Sequence, residues 1–204
     1  FNTGGALTLN EEVRLSLAAR VLEVARQVDE EAQLMLRVDQ PWGEYQARGQ
    51  HRLSPLQLVD ALIRSGVGLA GVNLEIAVGY HPRGTAYRGL LEYSRLIDLW
   101  SALGVPLHVT LASPSSAAVD PQALPDLEIE PACWPRDCDE STQAAWLERV
   151  VPLLMAKPAV AGVTWCAFRD ADPHEFPQSG LLQPDGRPKQ AMERLIDFRH
   201  RLGR

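Results

Sequence analysis

Apolar residues recur along the chain at two kinds of spacing, which predict helices and strands in alternation. Val13, Leu17 and Val21 repeat at helical spacing and predict a first helix over about residues 9–28. Thr8 stands three residues before a glutamate, the interval of a capping box, and is expected to begin this helix.

Four short apolar runs follow, and each precedes a helical pattern. The predicted strands lie at 33–38, 71–78, 106–112 and 160–168. The predicted helices lie at 54–66, 88–103, 141–157 and from Pro188 onward. The stretch 113–140 is rich in Pro, Ser and Asp and is expected to form a surface excursion. The strands alternate weakly, as in a parallel sheet covered on both faces, so the pattern predicts an α/β protein.

Four βα units make half of a (βα)8 TIM barrel, although a small doubly wound sheet has the same order of elements. The sequence contains no glycine fingerprint of the dinucleotide-binding or phosphate-loop type. Half a barrel alone would leave two open strand edges. The barrel interpretation therefore requires the N-terminal half of the same barrel as a partner. We expect residues 1–204 to form the C-terminal half of one domain, in keeping with a chain that opens on Phe1.

Composition narrows the function. The chain has 204 residues, of which 46% are hydrophobic, and 26 acidic against 20 basic residues give a net charge of −6. Nucleic-acid binding needs a basic face, so this class is disfavoured, and the sequence contains no apolar run long enough to predict a membrane span. The pair Cys133 and Cys138 lacks a companion Cys or His pair, which argues against a zinc site. We predict no cofactor and no metal.

Four segments carry a resemblance to a known family. They read VARQVDEEAQLML at 24–36, GVGLAGVNLE at 66–75, LGVPLHVTLA at 103–112, and AVAGVTWCAFRD at 159–170 followed by GLLQPDGRPKQA at 180–191. Together they resemble strands 5 to 8 of glycoside hydrolase family 10, the xylanase barrels. The resemblance implies hydrolysis of a β-linked polysaccharide such as xylan by paired carboxylates. Members are usually exported, which implies a secreted or periplasmic protein.

The catalytic pattern departs from this family. The family's acid/base residue lies on strand 4, which would precede residue 1. Aligned on the strand-7 motif, the nucleophile position is occupied by Leu111, and at the strand-6 Gln-x-His motif the chain has Glu75 and Ala77. Two interpretations stay open. Either Glu75 has become the nucleophile or a stabilising anion, or the barrel is a noncatalytic carbohydrate-binding relative. Glu75 could also be structural, paired with a buried Arg or Lys.

Further substrate-binding candidates lie at the predicted strand ends. They are Asp39, Trp42, Glu44, Tyr80, Trp165 and Asp170. Acidic groups there can bind sugar hydroxyls, and aromatic rings can stack on a pyranose. The resemblance assigns Trp165 to the floor of the sugar site, although a strand tryptophan is more often core. We expect Asp39, Glu75 and Trp165 to surround one hollow.

Polar residues after the last strand allow one alternative chemistry. Asp170, Asp172 and His174 could ligate a metal, but their spacing is not specific to metal sites, so none is predicted.

Overall fold

A computed structural model describes residues 9–48, 51–130 and 137–202. The helices are α1 (Glu11–Val28), α2 (Pro55–Arg64), α3 (Leu90–Ser101), α4 (Glu140–Met155) and α5 (Gln190–Leu202). The strands are β1 (Met35–Val38), β2 (Gly71–Ala77), β3 (Tyr80–His81), β4 (Leu107–Ala112), β5 (Glu128–Ile129) and β6 (Val160–Trp165). The main sheet and its helices confirm the predicted order, one helix followed by four βα units.

The main sheet contains four parallel strands in the order β1-β2-β4-β6. Strands that follow one another in this sheet are neighbours, and each connection between them contains a helix, as in a barrel wall. Among the described residues the outer edges of β1 and β6 pair with no further strand, so the sheet is open. The sequence pattern did not predict the small antiparallel pair β3-β5, which joins the loops after β2 and β4.

Alternation along the strands gives the sheet two different faces. The outer face packs on the helices and forms the main core; Leu74, Ile76, Val109 and Leu111 lie there, fully buried with residues of α3 and α4. The opposite face, called the inner face, carries the alternate residues. They are Arg37 on β1, Asn73, Glu75 and Ala77 on β2, His108, Thr110 and Ala112 on β4, and Gly162 and Thr164 on β6.

Local signals explain where the helices begin. The side chain of Asn10 accepts a hydrogen bond from the backbone N–H of Val13 at 2.8 Å and caps α1. The predicted cap, Thr8, lies outside the described residues. At α2 the predicted capping box is present, since Ser54 and Gln57 exchange side-chain and backbone hydrogen bonds of 3.2 and 2.8 Å. Helix α4 begins one residue earlier than predicted because Asp139 caps it.

Helix α1 presents an apolar stripe to solvent. The exposed residues of this stripe are Val13, Leu17, Val21, Val24 and Val28, each between 42% and 84% accessible. Its opposite side packs on α2 through Ala18. The helical periodicity that predicted α1 is therefore correct for the conformation, but its apolar stripe is not buried in this chain. No helix among the described residues is long and apolar enough to cross a membrane.

Candidate functional site

Glu75 lies on the inner face in the middle of the sheet and is 2% accessible. Arg37 on the neighbouring strand β1 reaches its carboxylate, and both Nε and Nη2 of the guanidinium contact Oε2. Burial raises the pKa of Glu75, and the positive charge of Arg37 opposes that rise. The arrangement matches the structural alternative for Glu75, a buried carboxylate held by a cation, although Arg37 itself is half exposed.

The same guanidinium begins a chain of ion pairs. Nη2 of Arg37 also contacts Oε2 of Glu175 at 2.9 Å, and Oε1 of Glu175 pairs with Arg83 at 2.7 Å. Arg83 in turn contacts Asp126 at 3.2 Å. These five residues form the inner-face ion network, in which three carboxylates alternate with two guanidinium groups. Each carboxylate that contacts a guanidinium offsets part of the cost of removing these charges from water.

Asp39 is the one predicted substrate-binding residue that the structure brings near Glu75. It directly follows β1 and is buried, and its negative charge is one of the causes that raise the pKa of Glu75. Sequence reasoning did not single out Arg37 or Asp126. A signal was available at Arg37, because an arginine inside an apolar strand needs a buried anion for the same reason that Glu75 needs a cation.

Leu111 and Trp165 are neighbours on adjacent strands, and both point to the outer face. Leu111 is therefore not a site position, and on β4 the inner-face residues near Glu75 are Thr110 and Ala112. The prediction that Trp165 shares a hollow with Asp39 and Glu75 is wrong. The physical reason is the two-residue period of a strand, which sets Trp165 in line with Leu111 and not with Thr110.

Trp165 packs among the helices. Its ring lies edge-on to Trp146 of α4 with centroids 6.1 Å apart, and its Nε1 donates to the carbonyl of Ser179 at 2.7 Å. It borders a pocket of about 300 Å³ between β6, α4 and α5, lined mainly by apolar side chains such as Val151 and Phe198.

Trp42 and Glu44 belong to a separate cluster beside α3. The guanidinium of Arg88 lies over the Trp42 ring, 4.6 Å from its centroid, and pairs with Glu44 at 3.0 Å. Tyr93 meets the same indole edge-on at 5.3 Å. A cation therefore already covers one face of the proposed sugar platform, and the structure does not bring these residues to Glu75.

Tyr80 is buried above the strand ends. Its hydroxyl donates to the carbonyl of Pro177 at 2.9 Å, and its ring packs on Phe176 with centroids 5.1 Å apart. With Leu127 these two rings form an apolar plug over Ala77 and Ala112. The plug fills the carboxyl end of β2 and β4 on the inner face, which is where barrel enzymes build their sites.

Asp170 supports the loop after β6. It accepts the backbone N–H of Gly180 at 2.7 Å and pairs with the buried Lys189, whose ammonium also donates to Ser115 at 2.7 Å. A side chain at Gly180 would collide with Asp170. These contacts tie the last loop to α5 and leave Asp170 away from Glu75.

One cluster in the described residues has the composition of a metal site. Asp120, Asp170 and His174 place one ligand atom each within 4.8 Å of one another. Asp172, the third residue in the sequence alternative, pairs with Arg169 instead. Asp170 already faces the ammonium of Lys189, and Asp120 faces the imidazole of His174. Both carboxylates of the cluster therefore already have a side-chain partner, and the absence of a metal stays a prediction.

No family model and no curated protein matches the sequence. Solved structures do match. Xylanase 10B from Thermotoga petrophila, in complex with xylobiose, aligns with a TM-score of 0.59 and 14% identity over 89% of this chain and 50% of that one. A thermostable mutant of Xyn10A from Cellvibrio japonicus aligns with a TM-score of 0.60 and 17% identity, over 89% of this chain and 54% of that one. A GH10 protein from Paenibacillus barcinonensis aligns with a TM-score of 0.60 and 16% identity, over 91% of this chain and 51% of that one. The fold is that of half a family 10 xylanase barrel.

This half barrel spans about half the length of the xylanases it matches, consistent with their C-terminal half. Its inner face corresponds to a barrel interior and its outer face to the layer between strands and helices. Fold similarity at this identity carries no assignment of activity, because one barrel supports many chemistries.

Proposed function

We propose that the half barrel contributes to a glycoside hydrolase-like protein that binds a β-linked polysaccharide such as xylan without cleaving it. One observation favours binding without cleavage over hydrolysis. At the strand ends where a barrel enzyme needs reactive groups, the inner face holds Ala77 and Ala112 beneath the rings of Tyr80 and Phe176.

Hydrolysis with retention needs two carboxyl groups that reach one anomeric carbon. Glu75 is the inner-face carboxylate of β2, and Arg37 holds it in a nearly inaccessible position. On β4 the inner-face positions hold Thr110 and Ala112, which carry no carboxylate. A buried, ion-paired glutamate serves better to fix Arg37 and the loops that Arg37 contacts than to attack a sugar.

Binding is supported by the polar groups around Glu75. Arg37 is half exposed on the inner face, and Arg83 and Glu175 continue the ion network from it. Planar charged groups of this kind form paired hydrogen bonds with vicinal hydroxyls. Xylobiose and xylopentaose are present in solved structures of the matching xylanases, which supports a β-1,4-linked xylose polymer as the first ligand to test.

Hydrolysis by Glu75 is the second candidate. One specific observation favours it: Glu75 and Glu175 share a single nitrogen, Nη2 of Arg37. Two carboxylates that contact one nitrogen lie close to each other, and retaining glycosidases need two neighbouring carboxyl groups, about 5–5.5 Å apart. In this candidate Arg37 orients both groups, and the acid/base residue need not come from the other half.

We also propose that the open edges are closed by the other half of the same barrel. The edges of β1 and β6 lack a partner among the described residues, the stripe of α1 is exposed, and an apolar pocket lies beside β6. An exposed stripe and two open edges favour association, and four further βα units would cover all of them.

The test uses the full-length protein with xylohexaose, calorimetry for binding and chromatography for products. Our proposal expects saturable binding, weakened at least tenfold by Arg37→Met, with no release of shorter sugars. Glu128→Gln, on the exposed strand β5, is the control and keeps wild-type binding. Product release that disappears in both Glu75→Gln and Glu175→Gln would establish the hydrolytic candidate, and absence of both binding and products would refute both.

A further inference from the structure

Gln40 is a buried polar residue that is not itself a member of the ion network. It lies two residues after the end of β1, and only 1% of its surface is accessible. Its backbone φ of 49° lies in the left-handed region, which is disfavoured for a residue with a Cβ and is usually occupied by glycine or asparagine. A strained backbone of this kind persists where the surrounding structure needs the particular side chain.

The side-chain amide of Gln40 binds two backbone carbonyls at once. Nε2 is 2.9 Å from the carbonyl oxygen of Pro82 and 3.0 Å from that of Gly84. Carbonyl oxygens only accept hydrogen bonds, so the NH2 end of the amide, with its two N–H donors, faces them. The other end, Oε1, is buried and accepts no hydrogen bond from the described residues. Because an unused buried acceptor is unfavourable, the two carbonyls are the contacts that set the position of this amide.

The two carbonyls belong to the residues on either side of Arg83. The segment 79–84 after β2, called the arginine loop, is tightly folded. At Gly84 a side chain would collide with the carbonyl oxygens of Tyr80 and Ala77. Gln40 therefore holds the arginine loop immediately before and after Arg83, and so fixes the backbone from which the guanidinium extends.

Arg83 connects the arginine loop to the loops after β4 and β6. Its Nη1 contacts Oε1 of Glu175 at 2.7 Å, and its Nη2 contacts Oδ2 of Asp126 at 3.2 Å. Charge-assisted bonds of this kind depend on short distances and good alignment. A guanidinium reaches two carboxylates from different loops only if its own backbone is held in place, and Gln40 supplies that support.

We propose that Gln40 is a positioning residue for the inner-face ion network. It holds the arginine loop so that Arg83 bridges Glu175 and Asp126, and through Arg83 it presets the polar surface that binds the sugar. The second of these roles rests on the proposed function, because it takes the network as the binding surface. Without the amide, Arg83 loses its fixed position and must be ordered when ligand binds, which weakens the affinity.

Two variants of the full-length protein remove the amide and change the backbone strain in opposite directions. Gln40→Met keeps the length of the side chain and the strain, whereas Gln40→Gly removes the side chain and suits a φ of 49°. Gln40→Gly provides the readout if Gln40→Met does not fold. Gln143→Met is the matched control, because Gln143 is a buried glutamine of α4 whose Nε2 donates to the carbonyl of Ser113 at 2.7 Å, outside the arginine loop.

The first measurement needs no sugar and follows the side-chain Nε–H signals of the arginines by nitrogen NMR. Nε of Arg83 is buried, so its proton should exchange slowly in the wild type. We expect this exchange to rise about tenfold in both Gln40 variants, as for the loss of one hydrogen bond, and to stay unchanged in Gln143→Met. The signal of Arg26, whose guanidinium binds backbone carbonyls beside α1, is the internal reference. An unchanged Arg83 signal in either Gln40 variant would overturn the proposal.

The second measurement is calorimetry with xylohexaose. Gln40→Met should raise the dissociation constant about fivefold, but should have little further effect in an Arg83→Met background, because Gln40 acts through Arg83. A purely structural residue would weaken binding equally in both backgrounds, and that result would overturn the positioning role. If the wild type binds no sugar, the proposed function fails, while the Arg83 signal still decides whether Gln40 positions the network.

Discussion

At the residue scale, the pair Arg37 and Glu75 decides how the inner face is interpreted. Burial favours the protonated form of Glu75, and the guanidinium favours the ionised form. Removing a partner from a buried pair costs more than the pair contributes, because one charge stays behind without compensation. Removal of Arg37 leaves the buried carboxylate of Glu75 without a partner, whereas removal of Glu75 leaves a half-exposed guanidinium that water can reach. The first substitution should therefore cost more stability than the second.

Arg37→Met is expected to destabilise the chain. A fully buried pair loses about 3–5 kcal/mol when one partner is removed, and the half-exposed guanidinium reduces the expected cost to about 2 kcal/mol. Glu75→Gln should lie within about 1 kcal/mol of the wild type, and in the Arg37→Met background it should restore most of the loss. Urea unfolding at pH 7 of the wild type, the two single variants and the double variant measures these differences in a double-mutant cycle. Equal costs for both single variants, without restoration, would contradict it.

The pH dependence of Glu75 has a defined sign. Its pKa is raised in the folded chain, so the folded state binds this proton more tightly than the unfolded state does. The stabilisation due to this proton is present at low pH and is lost as the pH rises through the folded-state pKa. Comparing unfolding of the wild type and Glu75→Gln between about pH 4 and 8 should therefore show the variant gaining relative stability. A gain by the wild type would refute the assignment.

At the element scale, local signals predicted conformation well and burial poorly. The capping box at Ser54 and the four βα units could be derived from sequence because caps and periodicity act within a few residues. The face of a strand depends on register against its neighbours, which a single sequence does not contain. For this reason the resemblance could align Leu111 with the nucleophile position and Trp165 with the sugar floor, although the pairing of β4 with β6 sets both among the helices. Arg37 lies on the neighbouring strand β1 and could have been inferred, whereas Glu175 and Arg83, the next members of the network, come from distant loops that a single sequence does not bring together.

Ser54→Ala tests how much the cap of α2 contributes. The substitution removes the hydrogen bond to the N–H of Gln57, and N-cap losses cost about 1 kcal/mol. Ser54→Asp should restore the loss because aspartate caps equally well. Equilibrium unfolding checks both variants, with Ser116→Ala in the loop after β4 as a control. Wild-type stability in Ser54→Ala would show that the box contributes nothing.

At the scale of the whole molecule, the exposed stripe of α1 distinguishes a free half barrel from an associated one. Leu17 and Val21 are 52% and 59% accessible, so their replacement by Gln should change the unfolding free energy of this chain by less than about 0.5 kcal/mol. The same double variant in the full-length protein should be destabilised by several times that amount if the other half covers the stripe. Equal effects in both contexts would remove the support that this stripe gives to the barrel partner.

The central claim is that ligand binds on the inner face and not in the apolar pocket beside β6. An NMR titration of the full-length protein with xylohexaose tests it directly. We predict that amide shifts concentrate at Arg37, Thr110 and Glu175. Shifts confined to Val151 and Phe198, or no shifts at saturating sugar, would contradict the account.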